Sequence, residues 1–477
     1  MKASVRRLSI LVLSSVLWLG CDPGPLSPSA ATNAQNLEEK GNSRDLRIAV
    51  IGAGASGLTA AYELQKLGYR YVTVYERENR VGGKVYSIPR PGMAIELGGV
   101  LANEDFVYVH ALAKELGITP APYIVPKVIQ LPDGRVMSFG DFLRTKYTMP
   151  ELVQALSNFA KVAKEYKVNA RSGFAHLSSD LHVSFTEFAR KKGFEPIADM
   201  MRAFLVGCGY GYYETIPAMS IMKIFDWSIK FDPADLPGSV LKMDLPPFQI
   251  FPFGFEQLWD LLATQLDVRL NSNITQVVRT VQKGKPTVQI TYNGLTEEFD
   301  RVIISSQFNT IGNFLDMTPT EQELSSQVES LRYVISIYAA AGLPITRSLS
   351  IYENAFPERL GHTIFVVNRD SVMPTPPVYP AFASYQQVDW NATPAQVTAT
   401  LAADVAKLGG TLLKVLIQKE WNYFPHVSTE VAKKDFYPRL ESIQGKNGTY
   451  FVGGLMNFEL VESTARYSRD LVQKLFK

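Results

Sequence analysis

Three glycines and one acid have the types and the spacing to bind a dinucleotide. Gly52, Gly54 and Gly57 stand at G-x-G-x-x-G spacing. In that arrangement the first glycine allows a tight turn and the second lets backbone approach a pyrophosphate. The third lets the following helix pack on the preceding strand. Glu76 lies about 20 residues further on, where a carboxylate can bind ribose hydroxyls.

The elements that must position these groups can be read around them. Ile48-Ala49-Val50-Ile51 is an apolar run of the right length for one buried parallel strand. From Ser56 to Leu67 the chain reads as a helix, with Leu58, Ala61, Leu64 and Leu67 near helical spacing. The amino end of that helix, at Ala55 and Ser56, offers unpaired N–H groups and the positive pole of the helix dipole to phosphate. A second apolar strand, Tyr71 to Tyr75, delivers Glu76. Strand, glycines, helix, strand and acid in this order predict an α/β chain with a Rossmann-type domain.

The stretch that follows, Arg80-Val81-Gly82-Gly83-Lys84, joins Glu76 in a pattern that resembles the E-x-x-x-R-x-G-G-[RK] extension of the flavin amine oxidase and phytoene desaturase superfamily. The resemblance implies FAD, with Gly82 and Gly83 running close to it, Arg80 offering charge to the diphosphate and Lys84 closing the motif. On residue type alone, Arg80 also reads as a solvated arginine and Glu76 as a strand-end acid. Three later stretches resemble the same superfamily. Glu96-Leu97-Gly98-Gly99 fits a glycine-rich crossing beside the flavin ring. Val268 to Asn271 and Ile274 to Val278 fit a strand pair in which the residue matching Ile274 meets the adenine through its backbone. Gly448 to Ser463 fits a closing segment with a strand from Tyr450 to Val452 and Gly453-Gly454, then a helix from Val461. The helix amino end is placed near the flavin, and Glu462 falls near the family's acidic position. What this implies is a Rossmann-type FAD-binding domain built from three separated segments, residues 46–120, 236–309 and 419–477. The substrate domain would comprise a helical insertion, 121–235, and a mixed α+β part, 310–418.

Candidate substrate-side residues follow. Gly207 to Tyr213 reads GCGYGYY, and close glycines followed by tyrosines bring backbone and aromatic faces near a ligand, or else make a tight helix–helix junction. Trp421 and Tyr423 alternate like residues of one strand face. Tyr210, Tyr212, Trp421 and Tyr423 are accordingly the expected aromatic wall of a site, with core packing as the alternative. PERLGH (357–362), WNYFPHVSTE (421–430), IQGKNGTYFVGG (443–454) and YSRDLV (467–472) resemble a subgroup containing FAD-dependent polyunsaturated fatty acid isomerases and β-cyclopiazonate dehydrogenase-like proteins. That resemblance implies a basic position at Lys127 for a substrate carboxylate; as a lone residue Lys127 also reads as a solvated strand lysine.

Amine oxidases usually carry a substrate-domain lysine beside the flavin, and the matching stretch from Tyr333 to Gly342 has none. Leu455 and Met456 stand where an aromatic would complete an amine cage, and no cysteine stands at the usual place just before the closing segment, so FAD is expected to be non-covalent. The expected function is that of an FAD-dependent oxidoreductase abstracting hydride from an apolar small molecule, by double-bond isomerisation or dehydrogenation of an unsaturated fatty acid. The alternatives are a flavin amine or amino-acid oxidase producing hydrogen peroxide, and a non-enzymatic flavin-bearing lipoprotein.

Lys2, Arg6 and Arg7 precede an apolar run from Leu8 to Leu19, too short to span a bilayer, and Gly20-Cys21 then resembles a bacterial lipobox. This implies export, lipidation at Cys21 and anchoring to a membrane, with residues 22–45, rich in Pro, Ser, Ala and Asn, as a disordered tether. With 48 basic and 46 acidic residues and no basic cluster, the chain gives no support for nucleic-acid binding. Cys208 is the one cysteine besides Cys21, and the five histidines show no metal-ligand spacing, so no disulfide and no metal are expected.

Overall fold

The computed structural model describes residues 43–90, 94–123, 128–229, 231–232, 234–241, 248–369 and 380–477. Cys21, nearly all of the 22–45 tether and Lys127 lie outside the described residues. Residues Arg44–Lys477 form one compact unit containing both of the expected layers.

The first layer is a five-stranded parallel sheet in the order Thr449–Phe451, Arg301–Ile304, Arg47–Ile51, Tyr71–Tyr75, Asp267–Arg269. Its strands come from all three of the separated segments. Ile48, Ala49 and Val50 have no exposed surface, as a parallel sheet covered on both faces requires. Helix Ala55–Lys66 packs Leu58, Ala61 and Leu64 on this sheet and meets the last helix, Val461–Leu475. Each fully buried leucine contributes about 1.5–3 kcal/mol of burial free energy.

The second layer is a seven-stranded sheet in the order Thr411–His426, Glu329–Ala341, Ala381–Val388, Thr363–Asn368, Ser348–Ile351, Val128–Gln130, Val136–Ser138. It is covered by helices of the insertion, among them Glu195–Gly207. Thr393 caps helix Pro394–Lys407, its side chain accepting the N–H of Gln396 in a capping box.

One boundary and the content of one segment differ from the sequence reading. The limit at 418/419 cuts strand Thr411–His426, whose pairing with Glu329–Ala341 shifts register at three places but runs on across 418/419. Trp421 and Tyr423 thus stand on the substrate sheet and not in the last dinucleotide segment. The insertion at 121–235 is mainly helical but contributes two three-residue strands to the same sheet, too short for an alternating pattern to declare them.

Candidate active site

Two cavities meet at the junction of the layers. The larger is a crevice of about 1030 Å³ over the carboxyl ends of the parallel strands, the place where open α/β sheets bind ligands. Gly52, Gly54, Ala55, Ser56, Glu76, Arg80, Gly82, Gly83, Lys84, Gly99, Ile274, Gly453 and Gly454 all line it. No side chain caps helix Ala55–Lys66, and its first turn carries no acid, so its N–H groups face the crevice uncompensated. Gly54 and Gly83 bring two backbone turns together: a Cβ on Gly83 would lie 3.0 Å from the Gly54 Cα.

Gly57 does not line the crevice. A Cβ there would fall 1.9 Å from the Gly52 carbonyl oxygen, so its role is the helix–strand contact. Glu76 is buried at the crevice edge, where its Oε2 accepts the Ala53 N–H at 2.9 Å and its Oε1 accepts the Glu78 N–H at 2.9 Å. Those bonds fix the carboxylate and leave lone pairs for hydroxyls. The guanidinium of Arg80 donates to Glu256 at 2.7 Å and to the carbonyls of Val81, Val85 and Gly83. It holds the glycine loop in shape, which is a different task from supplying a free charge to a diphosphate.

Glu462 is a correction. Its carboxylate is fully buried and accepts the N–H groups of Tyr108 and Val109 at 3.0 and 2.9 Å, so it caps helix Val107–Glu115 and lines neither cavity. The positive end of that helix attracts the acid more directly than a ligand would.

The second cavity, a chamber beside the crevice, shares with it Lys84, Gly99, Trp421, Tyr423, Glu459, Leu460 and Val461. Gly98 lines the chamber only, whereas Gly99 lines both spaces, and a Cβ on Gly98 would lie 1.9 Å from the Lys84 carbonyl oxygen. Lys84 Nζ donates to Glu459 Oε1 at 2.8 Å, an ion pair at the passage between the two spaces. Trp421 donates its indole N–H to the Leu97 carbonyl at 2.6 Å, with the Lys419 ammonium 4.3 Å from its ring centroid. Tyr423 lies 5.3 Å from the ring of Tyr333 and 6.1 Å from that of Tyr210.

Gly209 makes this packing possible. Its φ is +86°, and a Cβ there would lie 2.9 Å from the Tyr423 ring. Gly211, at φ +75°, then turns the chain so that Tyr210 reaches the chamber while Tyr212 does not. Tyr212 is buried away from both cavities, which removes it from the aromatic wall; the alternation of the two tyrosines is broken by two left-handed glycines. Cys208 also lines the chamber, and burial pushes its thiol up to about 12, leaving it un-ionised.

Three further chamber residues escaped the sequence reading. Glu459 is far from Lys84 in sequence, so nothing local pairs them. Tyr333, whose hydroxyl donates to the Gly207 carbonyl at 2.6 Å, lies in a strand that reads as ordinary core. Arg369 is buried at the end of strand Thr363–Asn368. Phe365 and Val367 face the chamber, and the two-residue period of a strand places Arg369 next in that row.

A family profile described as "Flavin containing amine oxidoreductase" matches residues 55–344. Among curated relatives, a polyenoic fatty acid isomerase of Ptilota filicina is 39% identical over 74 residues, covering 16% of this chain and 15% of that one. A pseudooxynicotine dehydrogenase of Pseudomonas sp. is 24% identical over 337 residues, covering 67% of this chain and 63% of that one. The chain thus spans less than two thirds of the length of either relative. Among solved structures, a fatty acid isomerase of P. acnes described as CLA-producing superposes with a TM-score of 0.79 at 24% identity, over 92% of this chain and 100% of that one.

Proposed function

This chain belongs to the flavin containing amine oxidoreductase family, and from that premise we propose an FAD-dependent oxidoreductase or isomerase that acts on an apolar small molecule held in the aromatic chamber. The observation that carries the reading is the shared wall: the chamber opens on the crevice at Trp421, Tyr423 and the Lys84–Glu459 pair. Unsaturated fatty acids fit as the substrate class, supported by the subgroup motifs and by the relative named a polyenoic fatty acid isomerase.

The crevice residues fit FAD. Its glycine-lined turns leave no room for side chains where backbone must approach a diphosphate, and the open helix terminus at Gly54 to Ser56 complements phosphate charge. Glu76 would take the ribose hydroxyls, Ile274 would meet the adenine, and Gly453 and Gly454 would border the flavin. Bound there, FAD supplies a two-electron acceptor for an activated C–H bond. Among the described residues the crevice wall has no cysteine and no histidine, which supports non-covalent binding. The protein's own contribution is to position the substrate against Tyr423 and Tyr333, to keep water out, and to shield developing positive charge with ring faces. In this reading a lipidated Cys21 holds the enzyme at a membrane, next to a supply of acyl chains.

Glu76→Ala is expected to lower FAD affinity at least 10-fold, because it removes the ribose acceptor and strands two backbone N–H groups, each worth about 1–3 kcal/mol. Titrating FAD into deflavinated protein measures this.

The function itself is tested anaerobically on FAD-loaded protein, by adding linoleate and then a panel of amines. Accumulation of a conjugated diene with the flavin absorbance unchanged is the expected result for isomerisation. Bleaching by linoleate points to dehydrogenation, and bleaching by an amine alone refutes the apolar-substrate reading in favour of an amine oxidase.

A further inference from the structure

We propose that Arg369 is the anchoring site for an anionic group on the substrate, so that the chamber takes an apolar chain ending in a carboxylate. This rests on the chamber being the substrate site. The side chain is 4% exposed and lines the chamber. A guanidinium carries five N–H donors. One nitrogen, Nη2, donates to the Tyr385 hydroxyl at 3.1 Å, while the buried Nε has no hydrogen-bond partner among the described residues. Among the described residues no carboxylate oxygen lies within 4.0 Å of it. A buried cation without a counter-ion is costly, and among the described residues Arg369 has no ion pair to offset that cost.

Among the described residues Glu96 acts electrostatically on Arg369, and its carboxyl is hydrogen-bonded elsewhere. It accepts the Ser87 hydroxyl at 2.5 Å and the Phe255 N–H at 2.9 Å. Burial pushes its carboxyl up to about 7, which makes it a weaker counter-charge than an ordinary carboxylate.

The position of Arg369 also fits a chain of definite course. Tyr423, at the passage to the crevice, stacks on Tyr333 with ring centroids 5.3 Å apart and planes 26° apart. Tyr333 stacks in turn on Tyr385, 6.3 Å away at 28°. Tyr385 then holds Arg369. An apolar chain laid along these ring faces would have its reactive carbons at the passage and its charged end at the guanidinium. With the Tyr333 hydroxyl tied to the Gly207 carbonyl, that ladder presents rings and no competing donor midway. A protonated amine would meet like charge instead.

The test compares linoleate, linoleyl alcohol and linoleylamine for binding to the full FAD-loaded chain, measured by displacement of a fluorescent fatty acid. The expected result is a preference for linoleate over the alcohol of about 10- to 100-fold, the range for a hydrogen bond to a charged group. Arg369→Gln should abolish that preference while leaving alcohol binding within a few-fold, and Arg369→Lys should restore part of it. Equal binding of linoleate and alcohol by the unmodified protein, or an undiminished preference in Arg369→Gln, would overturn the assignment. Should Arg369→Gln lose its FAD, the preference of the unmodified protein and the behaviour of Arg369→Lys decide. Failure of all three ligands to bind overturns the chamber reading itself, an outcome distinct from loss of the carboxylate preference alone.

Discussion

Replacing Gly57 by alanine is expected to push the first helix off its strand and leave a protein that retains no flavin. The added Cβ would stand 1.9 Å from the Gly52 carbonyl oxygen, 3.1 Å from its carbon and 3.2 Å from the Ser305 Cβ. The first two are backbone atoms of the turn that also approaches the dinucleotide, and neither can rotate away. Relief requires moving helix Ala55–Lys66, which carries buried Leu58, Ala61 and Leu64 with it. Overpacking of an adaptable core costs about 1–3 kcal/mol, and a backbone collision belongs at or above the top of that range. The helix terminus that faces the crevice moves as well, so stability and cofactor binding fall together. Thermal unfolding and flavin-to-protein absorbance ratio report the two effects; Gly57→Ala with normal flavin content would show that the helix can shift at little cost.

The second large effect is expected for Arg279→Met, at a residue that lines neither cavity. Arg279 and Glu321 are 2% and 3% exposed and form two parallel bonds of 2.7 Å each. Arg279 also donates to Asp316 and to the Thr449 hydroxyl, so one side chain ties the antiparallel strand Ile274–Gln282 to helix Pro319–Ser326 and to the edge strand of the parallel sheet. Removing one partner of a buried pair leaves the other uncompensated, at a cost of about 3–5 kcal/mol.

The pH dependence follows from Glu321. Burial would raise its carboxyl, but the Arg279 bonds and the Thr318 N–H hold it below the ordinary carboxylate value. A depressed folded-state value contributes stability above the unfolded carboxylate range and loses it as pH falls. The deficit of Arg279→Met should therefore be largest near neutrality and shrink below about pH 4, close to the ordinary glutamate value. Urea unfolding at several pH values measures it, and Arg279→Met combined with Glu321→Gln should recover part of the loss. A deficit independent of pH would exclude the ion pair as its source.

The dinucleotide half of the molecule was legible in the sequence because its information is local. Gly52, Gly54, Gly57 and Glu76 occupy one short stretch, and a strand–turn–helix leaves its own periodicity. The substrate half was legible only in part. Trp421 and Tyr423 were recognised as a wall, yet the strand that bears them was divided, because its alternation runs on from 411 and carries no punctuation at 419. Glycine conformation decided between Tyr210 and Tyr212, and residue spacing does not report the sign of φ. Arg369 was missed since an arginine after a polar residue reads as a solvated strand end. The signal that could have found it was the row Phe365, Val367, Arg369, whose first two members are apolar.

The strand order of the parallel sheet has a consequence for biosynthesis. One edge of the sheet, Thr449–Phe451, is made well after its neighbour Arg301–Ile304, yet it covers that strand and leads directly into Gly453 and Gly454 at the crevice. At the usual 5–20 residues per second, strand Arg301–Ile304 waits roughly 7–30 seconds with that side uncovered. A nascent chain holding only the glycine-rich turn has half a cradle and an apolar sheet edge, a state open to aggregation. Cofactor capture is thus expected to follow synthesis of that edge strand, with flavin acting as a late piece of the fold rather than as its template.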